Sequence, residues 1–271
     1  MLGPVLRLLA IILGFALFSL SSAEAAPRAE AWPRWERHDP ASTLVVDHDA
    51  WDRFLTDHLV TADGIHRLAY DKVSGEARHR LTAYIERLAA APVDRLARDE
   101  QRAFWINLYN ALTVKTVLDH YPVKSIRDIR ISPGLFSSGP WGRKLIRVAG
   151  EEISLDDIEH RILRPLWRDP RLHYALNCAS LGCPNLMRAA FTASNTEALL
   201  EEAARAFVSH PRSARLEGGK LIVSSIYVWF REDFGGGDSG IVEHLRHYGA
   251  VLDGRTRIDG DAYDWALNDA R

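Results

Sequence analysis

The residues best suited to chemistry lie in one run, Arg171-Leu172-His173-Tyr174-Ala175-Leu176-Asn177-Cys178-Ala179-Ser180-Leu181-Gly182-Cys183-Pro184. Its first half has strand character, and its second half is small residues closing on Gly-Cys-Pro, so Cys178 is expected where a strand ends and the chain turns. A thiol at such a bend is a nucleophile if a nearby group favours the thiolate. Partners are available: Glu159 and His160 lie together upstream, and Asn107 and Asn110 place two amides on an otherwise apolar helical run. A cysteine nucleophile, an imidazole base and an amide or carboxylate orienter would suit acyl transfer, whether amide hydrolysis, thioester chemistry or transamidation. Glu159 or Asn107 would fix the imidazole tautomer, while Asn110, Asn177 and Cys183 fill supporting places. If residues 173–177 are extended, His173 lies ~16 Å along the strand from Cys178 and on the opposite face. His160, on a separate element, escapes that limit.

Each of these residues also has a structural reading. Cys178 and Cys183 can close a small disulfide loop, His173 can bond a backbone carbonyl, His160 can sit on a helix surface, and the two asparagines can tie loops to the central helix. Trp105, Trp229 and Trp265 are expected in the core, since aromatic side chains dominate burial. A zinc site from Cys178, Cys183 and either histidine ranks last, because C-x4-C is looser than the usual C-x2-C and a fourth ligand is missing. No metal and no cofactor are expected.

The elements that must position these groups can be read from periodicity. Trp51, Phe54, Leu55 and Leu59 recur at helical spacing, as do Leu81, Tyr84, Ile85 and Leu88. The longest helical pattern runs from about Asp99 to His120, before Pro122, and is the best core candidate. Residues 64–70 alternate like a half-buried strand. Residues 144–151 and 214–223 read as hairpins with Gly-containing turns. Ser154 with Asp157, and Ser194 with Glu197, read as capping boxes that start helices. Helices and strands mix without βαβ alternation, so the fold class is α+β, a single compact domain with a small sheet, of the papain- or transglutaminase-like kind.

Composition removes whole classes. The chain has 271 residues, 34 Lys+Arg against 36 Asp+Glu, a formal net charge of −2 and 47% hydrophobic residues, which is ordinary globular usage. No basic excess marks a nucleic-acid binder. The partner expected is a peptide or small-molecule substrate. Gly235-Gly236-Gly237-Asp238-Ser239-Gly240 satisfies the dinucleotide pattern G-x-G-x-x-G, but it follows Trp229-Phe230-Arg231-Glu232-Asp233, which reads as a helix end rather than a strand. At the N-terminus, Arg7 precedes the 13-residue apolar stretch 8–20, followed by Ala23-Glu24-Ala25, the layout of a cleavable export signal over residues 1–25. That stretch is short for a membrane span. The expected organisation is a signal over 1–25, a leader arm over 26–46 and one domain over 47–271, exported to the periplasm or beyond, with no stable membrane span once the signal is removed.

The runs AFWINLYNALTVKTVL, ISLDDIEHRILR, RLHYALNCASLGCPNL, IYVWFREDFGG and YDWALN resemble the DUF547 family in order and spacing, over roughly residues 50–268. That family is one of unknown function, so the resemblance implies no activity. It places the family's central motif around Cys178, whereas other small residues stand at the position of Cys183. The resemblance therefore implies Cys178 as the functional thiol. Against this stands a non-catalytic envelope binding or scaffold module stapled by a Cys178–Cys183 disulfide.

Overall fold

The structure is a computed structural model, described for residues 27–134, 137–254 and 256–271. The export signal expected over 1–25 lies outside the described residues. Helices α1 (Asp49–His58), α2 (Gly75–Ala90), α3 (Arg98–His120), α6 (Thr196–Val208) and α8 (Asp238–His247) carry most of the regular structure; α4 (Arg164–Trp167), α5 (Leu172–Ala175) and α7 (Ser225–Trp229) are short. Among the described residues, three small sheets accompany them. Strands β1 (Leu59–Ala62) and β2 (Ile65–Leu68) form one hairpin, β3 (Ile146–Val148) and β4 (Glu151–Ile153) a second, and β5 (Ala214–Glu217), β6 (Lys220–Ser224) and β7 (Gly260–Ala262) a three-stranded sheet. The fold is α+β, in one domain, but its strands are spread over three sheets rather than gathered into one.

Helix α3 organises the interior because every position from Glu100 to Val114 is buried, with Phe104, Ile106, Leu108 and Ala111 fully enclosed, as is Val117 a turn further on. A helix enclosed all round needs internal partners for its polar side chains. Glu100 accepts the backbone N–H of Val46 (2.7 Å), and Gln101 donates to the carbonyls of Arg37 and Val93. The chain before α1 is thereby tied down. Residues 27–46 also dock further along, where the N–H groups of Glu30 and Trp32 donate to the carbonyls of His160 and Arg161 (both 3.0 Å) and Trp35 is buried against Trp105.

Four local elements differ from the sequence expectation. Leu59 leaves α1 and opens β1, because its strand register pairs it with Leu68. The segment after Ser154 forms the expected reciprocal cap, Ser154 N–H to Asp157 Oδ2 at 2.9 Å and Asp157 N–H to Ser154 Oγ at 3.1 Å, but continues as a π-helix over Asp157–Leu163. The reciprocal bonds before α6 join Thr192 and Asn195, since Glu197 is drawn away to Arg102 (2.6 Å) and Arg171 (2.8 Å). Residues 172–175 are a helical turn, with Leu176 extended after it, so the ~16 Å strand separation of His173 and Cys178 does not apply.

The glycine run behaves as its context suggests. Gly235 ends a 3-10 helix, Arg231–Phe234, at φ +94°, and a Cβ on Gly240 would lie 2.6 Å from the Phe234 carbonyl oxygen. The turn into α8 is close-packed at Gly235 and Gly240, where a side chain would collide with backbone, while Gly237 faces open space. Among the described residues, no helix is long and apolar enough to cross a membrane.

Candidate active site around Cys178

The loop carrying Cys178 is held by amides. Asn110, on α3, donates to the Ala175 carbonyl and accepts the Asn177 N–H (both 2.9 Å). Asn177 in turn donates to the Pro184 carbonyl (2.7 Å) and accepts the Ala179 N–H (2.9 Å). This fixes Ala179 in the left-handed region at φ +59°, a conformation a non-glycine residue keeps only where its surroundings enforce it. Cys178 is consequently presented at a bend, half-buried, while Cys183 returns beneath it, buried.

Gly182 brings the last partner in. Its N–H donates to the Asp264 carbonyl (2.8 Å), and a Cβ there would stand 2.8 Å from the Asp264 nitrogen. The close approach lays residues 263–267 along the Cys178 loop and delivers Tyr263. The Cys178 sulfur then has three neighbours: Cys183 Sγ at 2.8 Å, Tyr263 Oη at 2.9 Å and Ser180 Oγ at 3.2 Å. The Cys178 N–H also donates to Cys183 Sγ (2.8 Å). Both cysteines are free thiols.

The electrostatics are asymmetric. Burial alone would raise Cys178, but hydrogen bonds from Cys183, Ser180 and Tyr263 favour the thiolate and bring it down to about 7. Burial pushes Cys183 well above the ordinary thiol range, and the neighbouring Cys178 charge adds to it. Of two coupled thiols, Cys178 therefore loses the first proton.

The two histidines belong to a second polar cluster. His173 Nε2 meets Asp233 Oδ2 at 2.7 Å, its Nδ1 lies 3.7 Å from Glu159 Oε1, and its ring stacks on Phe230 at 4.2 Å. Arg164 Nε donates to the same Asp233 oxygen (2.6 Å), and its Nη1 donates to His160 Nδ1 (3.0 Å). The tautomer of His160 follows, since Nδ1 must accept. Burial and the adjacent Arg164 hold His160 down to about 3, and burial also lowers His173. Glu159 is pushed up to about 7, first by burial and further by Asp156 and Cys178, against the opposing influence of Arg164 and a Tyr109 hydrogen bond.

Neither imidazole is among the hydrogen-bond partners of the Cys178 sulfur, so the direct thiol–imidazole pair expected from the sequence is not formed in this arrangement. Asn107 has no ring to orient: both its amide atoms are taken by the backbone of Phe191 (2.7 and 3.0 Å). Asn110 and Asn177 hold the loop, as described. Neither type nor spacing marks out Ser180, Tyr263 and Asp233. Yet Ser180 stands two positions after Cys178, while Asp233 and Tyr263 lie in the runs IYVWFREDFGG and YDWALN. Trp105 is a core residue, whereas Trp229 and Trp265 are only partly buried and form an aromatic rim with Tyr263, at centroid distances of 4.9 Å (Trp229–Tyr263) and 4.6 Å (Tyr263–Trp265).

No three His, Cys, Asp or Glu side chains among the described residues gather as a metal-binding group. For the zinc arrangement, both histidine rings are engaged in the second cluster rather than with the sulfurs.

Residues 93–208 match the family described as "Protein of unknown function, DUF547". The chain carries a DUF547 region. That region contains α3, the π-helix and the whole Cys178–Cys183 loop, and so both sulfurs, Ser180, Glu159, His160 and His173. Asp233 and Tyr263 lie beyond its end, so the C-terminal part of the chain completes both polar clusters of the DUF547 region. Comparisons with curated proteins and with solved structures find no match.

Proposed function

We propose that the protein is an exported, thiol-dependent acyl-transfer enzyme acting on a peptide or envelope-derived substrate, with Cys178 as its nucleophile. The observation that carries this reading is the half-buried Cys178 sulfur, ringed by Cys183, Ser180 and Tyr263, whose hydrogen bonds outweigh burial and favour the thiolate near neutral pH. A thiolate already present at pH 7 needs no imidazole in contact to attack a carbonyl. The Cys178 sulfur bonds to the acyl carbon, the bond to the leaving group breaks, and the leaving group takes up a proton. Glu159, whose proton affinity at about 7 is raised by burial and in part by the charge of Cys178, has a proton to give at that pH and is the group assigned to this task. Water or an amine then takes the acyl group and regenerates the thiol. Export rests on the N-terminal pattern over residues 1–25 alone.

An activated ester tests the reading. Wild-type protein exposed to p-nitrophenyl acetate at pH 7 is expected to release one equivalent of nitrophenol in a burst and to gain one acetyl group on Cys178 by intact mass and peptide mapping. Cys178→Ser is expected to lose both. Acetylation spread over lysines with no burst would sink the proposal.

A further inference from the structure

We propose that Cys178 and Cys183 also work as a dithiol pair that reduces disulfides, Cys178 attacking and Cys183 resolving. This goes beyond acyl transfer and needs only the geometry of the two sulfurs. Three observations carry it. The sulfurs are 2.8 Å apart as free thiols, and the Cys178 N–H donates to Cys183 Sγ, which keeps that sulfur aimed at its partner. The turn closed by Cys183 N–H to the Ser180 carbonyl (3.1 Å) holds the two side chains on one side of the loop. Exposure separates their roles, because Cys178 is half-buried and open to a substrate, whereas Cys183 is 4% exposed and can reach only a sulfur already joined to Cys178. The opposite displacement of their proton affinities agrees, since the attacking thiol ionises first and the resolving thiol stays protonated until called on.

The steps balance. The Cys178 thiolate attacks one sulfur of a substrate disulfide, forming a mixed disulfide, and the departing thiolate takes the proton Cys178 had released. Cys183 then loses its proton and attacks Cys178 Sγ, forming the Cys178–Cys183 disulfide, and the second substrate thiolate leaves with that proton. Two electrons pass from the protein to the substrate, and an external dithiol restores the pair. The half-buried rim of Tyr263, Trp229 and Trp265 beside Cys178 suits an uncharged disulfide with apolar or aromatic flanks, since sulfur packs favourably against aromatic edges.

The test uses the full chain, reduced and freed of reductant, with one equivalent of the neutral aromatic disulfide dithiodipyridine. Wild type is expected to release two equivalents of pyridinethione, the second in a first-order phase independent of reagent concentration. Its product is expected to weigh two hydrogens less than the reduced protein, with no adduct. Cys183→Ser, which keeps an acceptor for the Cys178 N–H, is expected to release one equivalent and retain one adduct; Cys183→Ala serves if that variant does not fold. With dithiothreitol as reductant, wild type is expected to reduce a short apolar peptide disulfide at least tenfold faster than dithiothreitol alone. A persistent adduct on wild type, or no acceleration, overturns the proposal. The ester burst reports on acyl transfer separately, so either proposal can fail while the other stands.

Discussion

Lowering the pH from 7 to 5 is expected to destabilise the folded chain by several kcal/mol. His48, His160 and His244 are held down to about 4, 3 and 4, in each case chiefly by burial, so they stay neutral in the folded state while their unfolded counterparts protonate near 6.5. His48 is fixed against the Tyr84 hydroxyl (2.6 Å) and His244 against the Tyr174 hydroxyl (2.7 Å). Because the folded affinities lie below the unfolded ones, the stability is complete above about pH 6.5 and declines as the pH falls towards 3–4. Each such group contributes a slope of up to ~1.4 kcal/mol per pH unit. His244 is only partly buried, so its share is reduced by solvent screening. His58, His66, His173 and His210 shift in the same direction. Glu159 opposes them, because its raised affinity favours the folded state at low pH and is lost as the pH rises through about 7. One carboxyl against several imidazoles leaves a net loss of roughly 4 kcal/mol. Urea unfolding at pH 7, 6 and 5 measures it; equal midpoints at 7 and 5 would contradict it.

Asp233→Ala is the substitution expected to cost most, about 3–5 kcal/mol. One carboxylate oxygen accepts from both Arg164 (2.6 Å) and His173 (2.7 Å), and those side chains are 6% and 3% exposed. Removing it leaves a buried guanidinium without its counter-ion and a buried ring nitrogen without its partner. The two bonds also hold Asp233 down to about 2, against the opposing influence of burial. Asp233→Asn keeps a hydrogen-bonding group and is expected to lose less. A thermal or urea shift below about 1 kcal/mol for Asp233→Ala would show that the pair is not held in the desolvated state described.

Much of the fold is legible in local pattern. Helix α3 shows as an apolar run ending before Pro122, and the hairpins at 146–153 and 214–224 follow from their turn residues, with Ala149 and Gly150 at φ +46° and +89°. The π-helix is not legible, because a capping box marks where a helix starts and not how it is wound. Cys178 stands out as a thiol at a bend. Its partners do not, since Tyr263 is 85 positions away and arrives through the close contact at Gly182. The histidines can be picked out by type, yet whether they face a thiol or a carboxylate depends on Asp233, which no spacing relates to His173, 60 positions before it.

An activated thiol at Cys178 is tested most directly by the pH dependence of its alkylation by iodoacetamide in the reduced protein, followed by peptide mapping. The expected midpoint is near 7 for Cys178, with a higher midpoint and slower reaction at pH 7 for Tyr263→Phe. A wild-type midpoint at ~8.5, the value of an ordinary thiol, would contradict it.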